Sequence, residues 1–109
     1  MLGFVEAWQT LVDEVEAGYG GDLYEYEAEL LVREDLERAM VSSELASVDG
    51  WASIGAQILV ADSQFRELLG PVVREGSPWW KARVPARAGA EFAADVQRIY
   101  GVTIEASDE

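Results

Sequence analysis

The segment from Trp51 to Pro71 reads WASIGAQILVADSQFRELLGP. Its apolar residues Trp51, Ile54, Ile58, Ala61, Phe65 and Leu68 step by 3, 4, 3, 4 and 3. That rhythm places them on one stripe of an α-helix and fits no strand, whose side chains alternate faces every residue. The helix is expected to begin at Asp49. Gly70-Pro71 ends it, because glycine suits a left-handed helix stop and proline cannot extend the ladder.

The same period extends to either side. Phe4, Trp8, Leu11, Val12 and Val15 predict a helix over residues 4–17, ended by Gly18 before the loop Tyr19-Gly20-Gly21. Asp22, with Glu25 three residues on, has the spacing of a capping box and predicts a second helix reaching about Ser42. Its inward face is expected to use Tyr24, Ala28, Leu31, Val32, Leu36, Ala39 and Met40. Tyr24 is assigned to the core, with Tyr19 and Tyr26 along its rim. Glu29 with Arg33 and Glu34 with Arg38 stand at i,i+4 in the favourable order for pairing. The connection from Ser42 to Gly50 is expected to hold one helical turn at Glu44 to Val48.

Downstream of Pro71 the pattern is least regular up to residue 87. Val72-Val73 is expected to be extended. Ser77 as cap and Pro78 as first helical residue predict a short turn over Trp79 to Arg83, closed by Pro85. A last helix is expected from Ala88 to Tyr100, with Phe92, Val96 and Ile99 inward and Gly101 at its end. Val102-Thr103-Ile104 is expected to form a short extended tail. These elements describe one all-α, mainly helical domain over residues 1–109: a compact bundle of about four helices, with an irregular Trp- and Arg-containing segment before the last helix.

Composition narrows the chemistry. The 109 residues include no cysteine and no histidine. Disulfides, thiolate metal sites and a cysteine nucleophile are therefore excluded, as is the commonest general base. A serine nucleophile would need a lysine in place of histidine. Lys81 is the single lysine, and Pro78 stands where a Ser-x-x-Lys motif needs serine. No phosphate-binding glycine motif occurs, and Asp49-Gly50 lacks the alternating oxygen ligands of a calcium loop. The reading carries no cofactor and no metal. The longest apolar runs fall far short of the ~20 residues of a membrane span, and the first residues lack the pattern of a secretory signal, so no membrane association is expected. The expected location is cytoplasmic.

One carboxylate pattern bears on metal chemistry. Glu34 and Glu37 form a Glu-x-x-Glu pair, which resembles half of the magnesium-binding pattern of the all-α nucleotide pyrophosphatases. That family adds a Glu-x-x-Asp on a later helix. Here Leu59 stands three residues before Asp62, Phe92 three before Asp95, and Glu91 four before Asp95. The resemblance is incomplete, so a magnesium-dependent hydrolase is the last of three functional readings.

Charge carries the first. The net charge is -13. Residues 1–49 hold thirteen acidic and two basic residues, a net of -11, and the remainder hold eight and six, a net of -2. Acidic surfaces of this kind often serve only solvation. They also repel internally, and a cationic partner relieves that repulsion. The leading expectation is accordingly a non-catalytic interaction protein, of the immunity, inhibitor or nucleic-acid-mimic kind, docking a basic partner. The expected contact residues are Asp13, Glu14, Glu16, Glu25, Glu27, Glu29, Glu34 and Glu37. Of these, Glu27, Glu34 and Glu37 should face away from the stripe containing Ala28, Leu31 and Val32. Nucleic acid is not expected on this face, since phosphate contacts need cations.

Arg74, Lys81, Arg83 and Arg87 gather in the irregular segment beside Trp79-Trp80. These cations either pair with the chain's own acidic helices or form a contact surface. In the latter case Trp80, with Lys81 and Arg83, would be the interface anchor, Trp80 being the more exposed of the two tryptophans. The second functional reading is a structural role through self-association as a symmetric homodimer, the basic segment of one copy meeting the acidic half of another.

Overall fold

A computed structural model describes residues 2–41 and 50–107. Among them the chain is mainly α. The elements run α1 (Leu2–Glu16), α2 (Leu23–Met40), α3 (Trp51–Leu68), β1 (Leu69–Val72), α4 (Trp79–Ala82), β2 (Arg83–Pro85), β3 (Arg87–Gly89), α5 (Ala90–Tyr100) and β4 (Glu105–Ser107). The helical turn expected at Glu44 to Val48 lies outside the described residues.

α1 packs against both α2 and α3, and α2 also meets α4 and α5. The core is built on Trp8, Leu11, Val12 and Val15 of α1 and Ile58, Ala61 and Phe65 of α3. Trp8 and Phe65 meet edge to face, with centroids 4.8 Å apart. Val5, not Phe4, completes the α1 stripe; Phe4 is exposed. Gly18 stops α1 at a φ of 96°, where a side chain would be strained. Asp22 caps α2 as its spacing predicts, accepting a 2.8 Å bond from the Glu25 amide.

The inward face of α2 differs from the expected one. Leu23, Tyr26, Leu30, Arg33, Leu36 and Ala39 are buried. Tyr24 is 70% exposed and Leu31 52% exposed. The true stripe runs through an arginine, which a reading by hydropathy discards. Leaving Arg33 out rotates the chosen face onto Ala28, Leu31 and Val32. Tyr19 and Tyr26 are core residues, not rim residues, and both pack edge to face against Phe92.

The irregular segment is more ordered than expected and adds strands to the helices. β1 and β2 pair antiparallel, with a register irregularity between Leu69 and Val72. Gly70-Pro71 lies within that interval, and Pro71 has no N–H to give to the ladder. Between these strands, α4 begins at Trp79, with Pro78 itself at the cap position. β3 and β4 pair in parallel, joined by α5. The last strand is Glu105–Ser107, directly after the expected extended tail Val102-Thr103-Ile104. On α5, Phe92 and Val96 are buried while Ile99 is exposed, and Gly101 ends the helix at φ 70°.

Gly89 ties the two ends of the fold together. Its amide donates to the Tyr19 carbonyl at 2.8 Å. A Cβ at this position would lie 2.8 Å from that same oxygen, so only glycine permits the approach. No helix among the described residues is long and apolar enough to cross a membrane.

Candidate functional site

α2 divides the charged residues into two sets. Residues 23, 27, 30, 31 and 34 lie on one side of the helix, and 25, 28, 29 and 32 lie roughly half a turn away, at ~100° per residue.

On the first side every glutamate meets a cation. Glu27 accepts 2.7 Å from Arg74 Nη2 and 3.1 Å from the Tyr100 hydroxyl. Arg74 Nε also donates to the Tyr100 oxygen at 3.0 Å. Glu34 pairs with Lys81 of α4. Toward the core, Glu37 pairs with Arg33 at 3.1 Å. Glu27, Glu34 and Glu37 thus turn away from Ala28 and Val32 but not from Leu31, which shares the side of Glu27 and Glu34, and those two glutamates face the 74–100 segment. The expected Glu29–Arg33 and Glu34–Arg38 pairs do not form. Arg38 pairs instead with Asp35.

Arg33 is the center of a buried network. It is 2% exposed, as is its partner Asp62 of α3. Nε and Nη2 each donate 2.8 Å to one oxygen of Asp62, a bidentate pair. Trp8 Nε1 donates 3.0 Å to the same carboxylate. The guanidinium lies 4.5 Å from the Trp80 ring. This places Trp80 inside the protein, at 5% exposure, with its indole N–H unpartnered among the described residues. Trp79 is the more exposed of the two, with Arg66 stacked 4.2 Å from its ring. The expectation of an exposed Trp80 is therefore corrected: the Arg33 guanidinium gives that ring a cation to cover in the core. Lys81 sits on α4 beside Glu34, and Arg83 on β2 donates Nε to the Gly70 carbonyl at 2.8 Å.

On the second side the carboxylates are left to one another. Asp13, Glu14, Glu16, Glu25 and Glu29 are exposed, and among the described residues none has a cation within ion-pair distance. Glu14 and Glu29 flank a groove of about 320 Å³ between α1 and α2, floored by Ala7, Leu11, Ala28 and Val32. The same two glutamates, with Glu25, border a shallow concavity of about 420 Å³ over the Gly18–Gly21 loop. Partial burial, and then the charge of Glu29, hold the Glu14 carboxyl above the usual glutamate range. Tyr19 donates 2.6 Å to Glu29, and burial together with that bond push its phenol far up, so it stays a protonated donor. Asp13, Glu14 and Glu16 also stand in the last turn of α1, at the negative end of its dipole. Arg87 relieves that end by donating 2.9 Å to the Glu16 backbone carbonyl, not to its carboxylate.

Glu34 and Glu37, the half-pattern of the magnesium reading, are thus occupied by Lys81 and Arg33. Among the described residues no group of three or more acidic side chains is placed to hold a metal ion. Arg33 and Asp62 are the members of these networks whose buried role the sequence left unmarked. Their detectable signal was an arginine and an aspartate, each at helical spacing within an apolar stripe. The chain matches no protein-family model, no curated protein and no solved structure.

Proposed function

We propose that this is a non-catalytic interaction protein whose α1–α2 face docks a basic partner. The observation that carries the reading is the sorting of carboxylates. Glu27, Glu34 and Glu37 are paired with the chain's own cations, while Glu14, Glu25 and Glu29, flanked by Asp13 and Glu16, are gathered around a groove and an adjoining concavity that no cation lines. The mutual repulsion of Glu14 and Glu29 and the adverse end of the α1 dipole both relax when a lysine- or arginine-bearing surface arrives. An immunity or inhibitor protein covering a basic cleft fits this chemistry, as does a protein whose carboxylates stand in for phosphates. Its setting is the cytoplasm, and its scaffold is a bundle of the four longer helices. Self-association through the basic segment has less support, because Arg74 and Lys81 are already paired within their own chain.

The test is capture at low salt on immobilised protein, comparing the natural chain with a Glu14→Lys/Glu25→Lys variant. A basic protein retained in stoichiometric amount by the first and lost by the second is the expected result. Its association rate should fall steeply between low and physiological ionic strength. Equal retention by both proteins, or a rate indifferent to salt, would refute the reading.

A further inference from the structure

The opposite side of α2 carries a second and chemically contrary feature. A cleft of about 220 Å³ opens between α2 and the 73–84 segment. Its walls are aliphatic, from Leu23, Leu30 and Leu31 on one side and Val73 and Val84 on the other. Arg74, Lys81 and Arg83 border it, three of the eight basic residues in a chain of net charge -13. Glu27 in the lining pairs with Arg74, and Glu34 beside it pairs with Lys81, which leaves Arg83 as the cation without a carboxylate among the described residues.

Two polar groups here have unused capacity. Arg83 is exposed, spends Nε on the Gly70 carbonyl, and makes no ion pair among the described residues. Its guanidinium keeps terminal N–H donors in the fork that matches a carboxylate. Tyr26 lines the cleft, is 2% exposed, and its hydroxyl has no hydrogen-bond partner among the described residues. A buried hydroxyl without a partner is costly.

We propose that this cleft binds a small organic monocarboxylate with an apolar body. The carboxylate meets the free terminal donors of Arg83, and the body lies along the leucine and valine walls. The volume is below the usual range of ~300–1,000 Å³ for drug-sized ligands, which limits the occupant to a small molecule. The field of an acidic chain and the nearby Glu27 disfavour more highly charged anions such as phosphate.

The test is a titration of the isotope-labelled full chain with octanoate, followed by amide chemical shifts. Octanamide serves as the uncharged counterpart and inorganic phosphate as the anion without an apolar body. Octanoate should give saturable shifts confined to the 23–31 and 73–84 amides. Octanamide and phosphate should each bind at least tenfold more weakly. Arg83→Gln should weaken octanoate about tenfold with an unchanged unfolding curve, and Glu27→Gln should tighten it. The absence of saturable shifts with octanoate would overturn the proposal. So would equal binding of octanamide or phosphate, or undiminished binding by Arg83→Gln. The groove holding Glu14 and Glu29 takes no part, so this proposal and the docking face fail or survive separately.

Discussion

The two sides of α2 use the same residue type for opposite ends. Glu27 and Glu34 each hold a cation from elsewhere in the fold and Glu37 holds Arg33 of its own helix, whereas Glu25 and Glu29 hold none. The difference lies in what the rest of the chain brings alongside. The 74–81 segment delivers Arg74 and Lys81 to one side, while α1 brings Asp13, Glu14 and Glu16 to the other. A glutamate's role on this helix is therefore set by its angular position, and the net charge of the first half does not predict it.

The comparison breaks hardest at its buried extreme. Asp62→Ala strands the Arg33 guanidinium in the core and should cost about 3–5 kcal/mol in urea unfolding. Replacing both residues by leucine should recover most of that loss, because the desolvation cost disappears with the charges. A near-neutral Asp62→Ala would mean that Arg33 escapes to solvent. Tyr26→Phe works in the other direction. Removing an unpartnered buried hydroxyl should leave stability equal or raise it by about 1 kcal/mol. Glu27→Gln, on the paired side, should cost only about 0.2–1 kcal/mol, since both partners are well solvated. The smallest effect belongs to the unpaired side, where Glu14→Gln should stabilise by a few tenths of a kcal/mol.

Acid titration sharpens the contrast, because two carboxylates respond with opposite sign. Glu14 has a raised pKa in the folded chain, through burial and then Glu29. Its contribution is fully present below the ordinary glutamate value of about 4.3 and is lost as pH rises through the raised value. Asp95 is held below the ordinary aspartate range by the Leu23 amide and then by Arg98. Its contribution is present above about pH 3.9 and is lost as pH falls through the depressed value. Asp95→Asn should therefore flatten the acid limb of the stability profile, and Glu14→Gln should flatten the limb above it. Profiles unchanged by both substitutions would remove this account.

Local signals in the sequence were dependable where the chemistry was local. The 3-4-3-4-3 stripe of α3, the Asp22 cap and the glycine stops at Gly18 and Gly101 all depend on neighbours within a few residues. The Arg33–Asp62 pair is 29 residues apart and Lys81–Glu34 is 47 apart. Nothing nearby in the chain distinguishes Arg33 from a solvated arginine, and that one residue turned the expected face of α2. The order of the two tryptophans failed for a related reason. α4 is four residues long, too short for a period to show which ring points inward. Asp13, Glu14, Glu16, Glu25 and Glu29 were legible as surface because no long-range partner claims them.

The contacts between the 16–27 region and the 87–100 region have a kinetic consequence. The Leu23 amide donates to a carboxylate 72 residues away, the Glu16 carbonyl accepts from an arginine 71 away, and Glu27 accepts from a tyrosine 73 away. Each closes a long loop before it returns any energy, and such closures slow folding even in a helix-rich chain. α1 and α2 can meet early, but their shared turn is fixed only when α5 arrives. Refolding of this protein should therefore be slower than its helix content suggests, with the acidic α1–α2 face among the last surfaces to take its final shape.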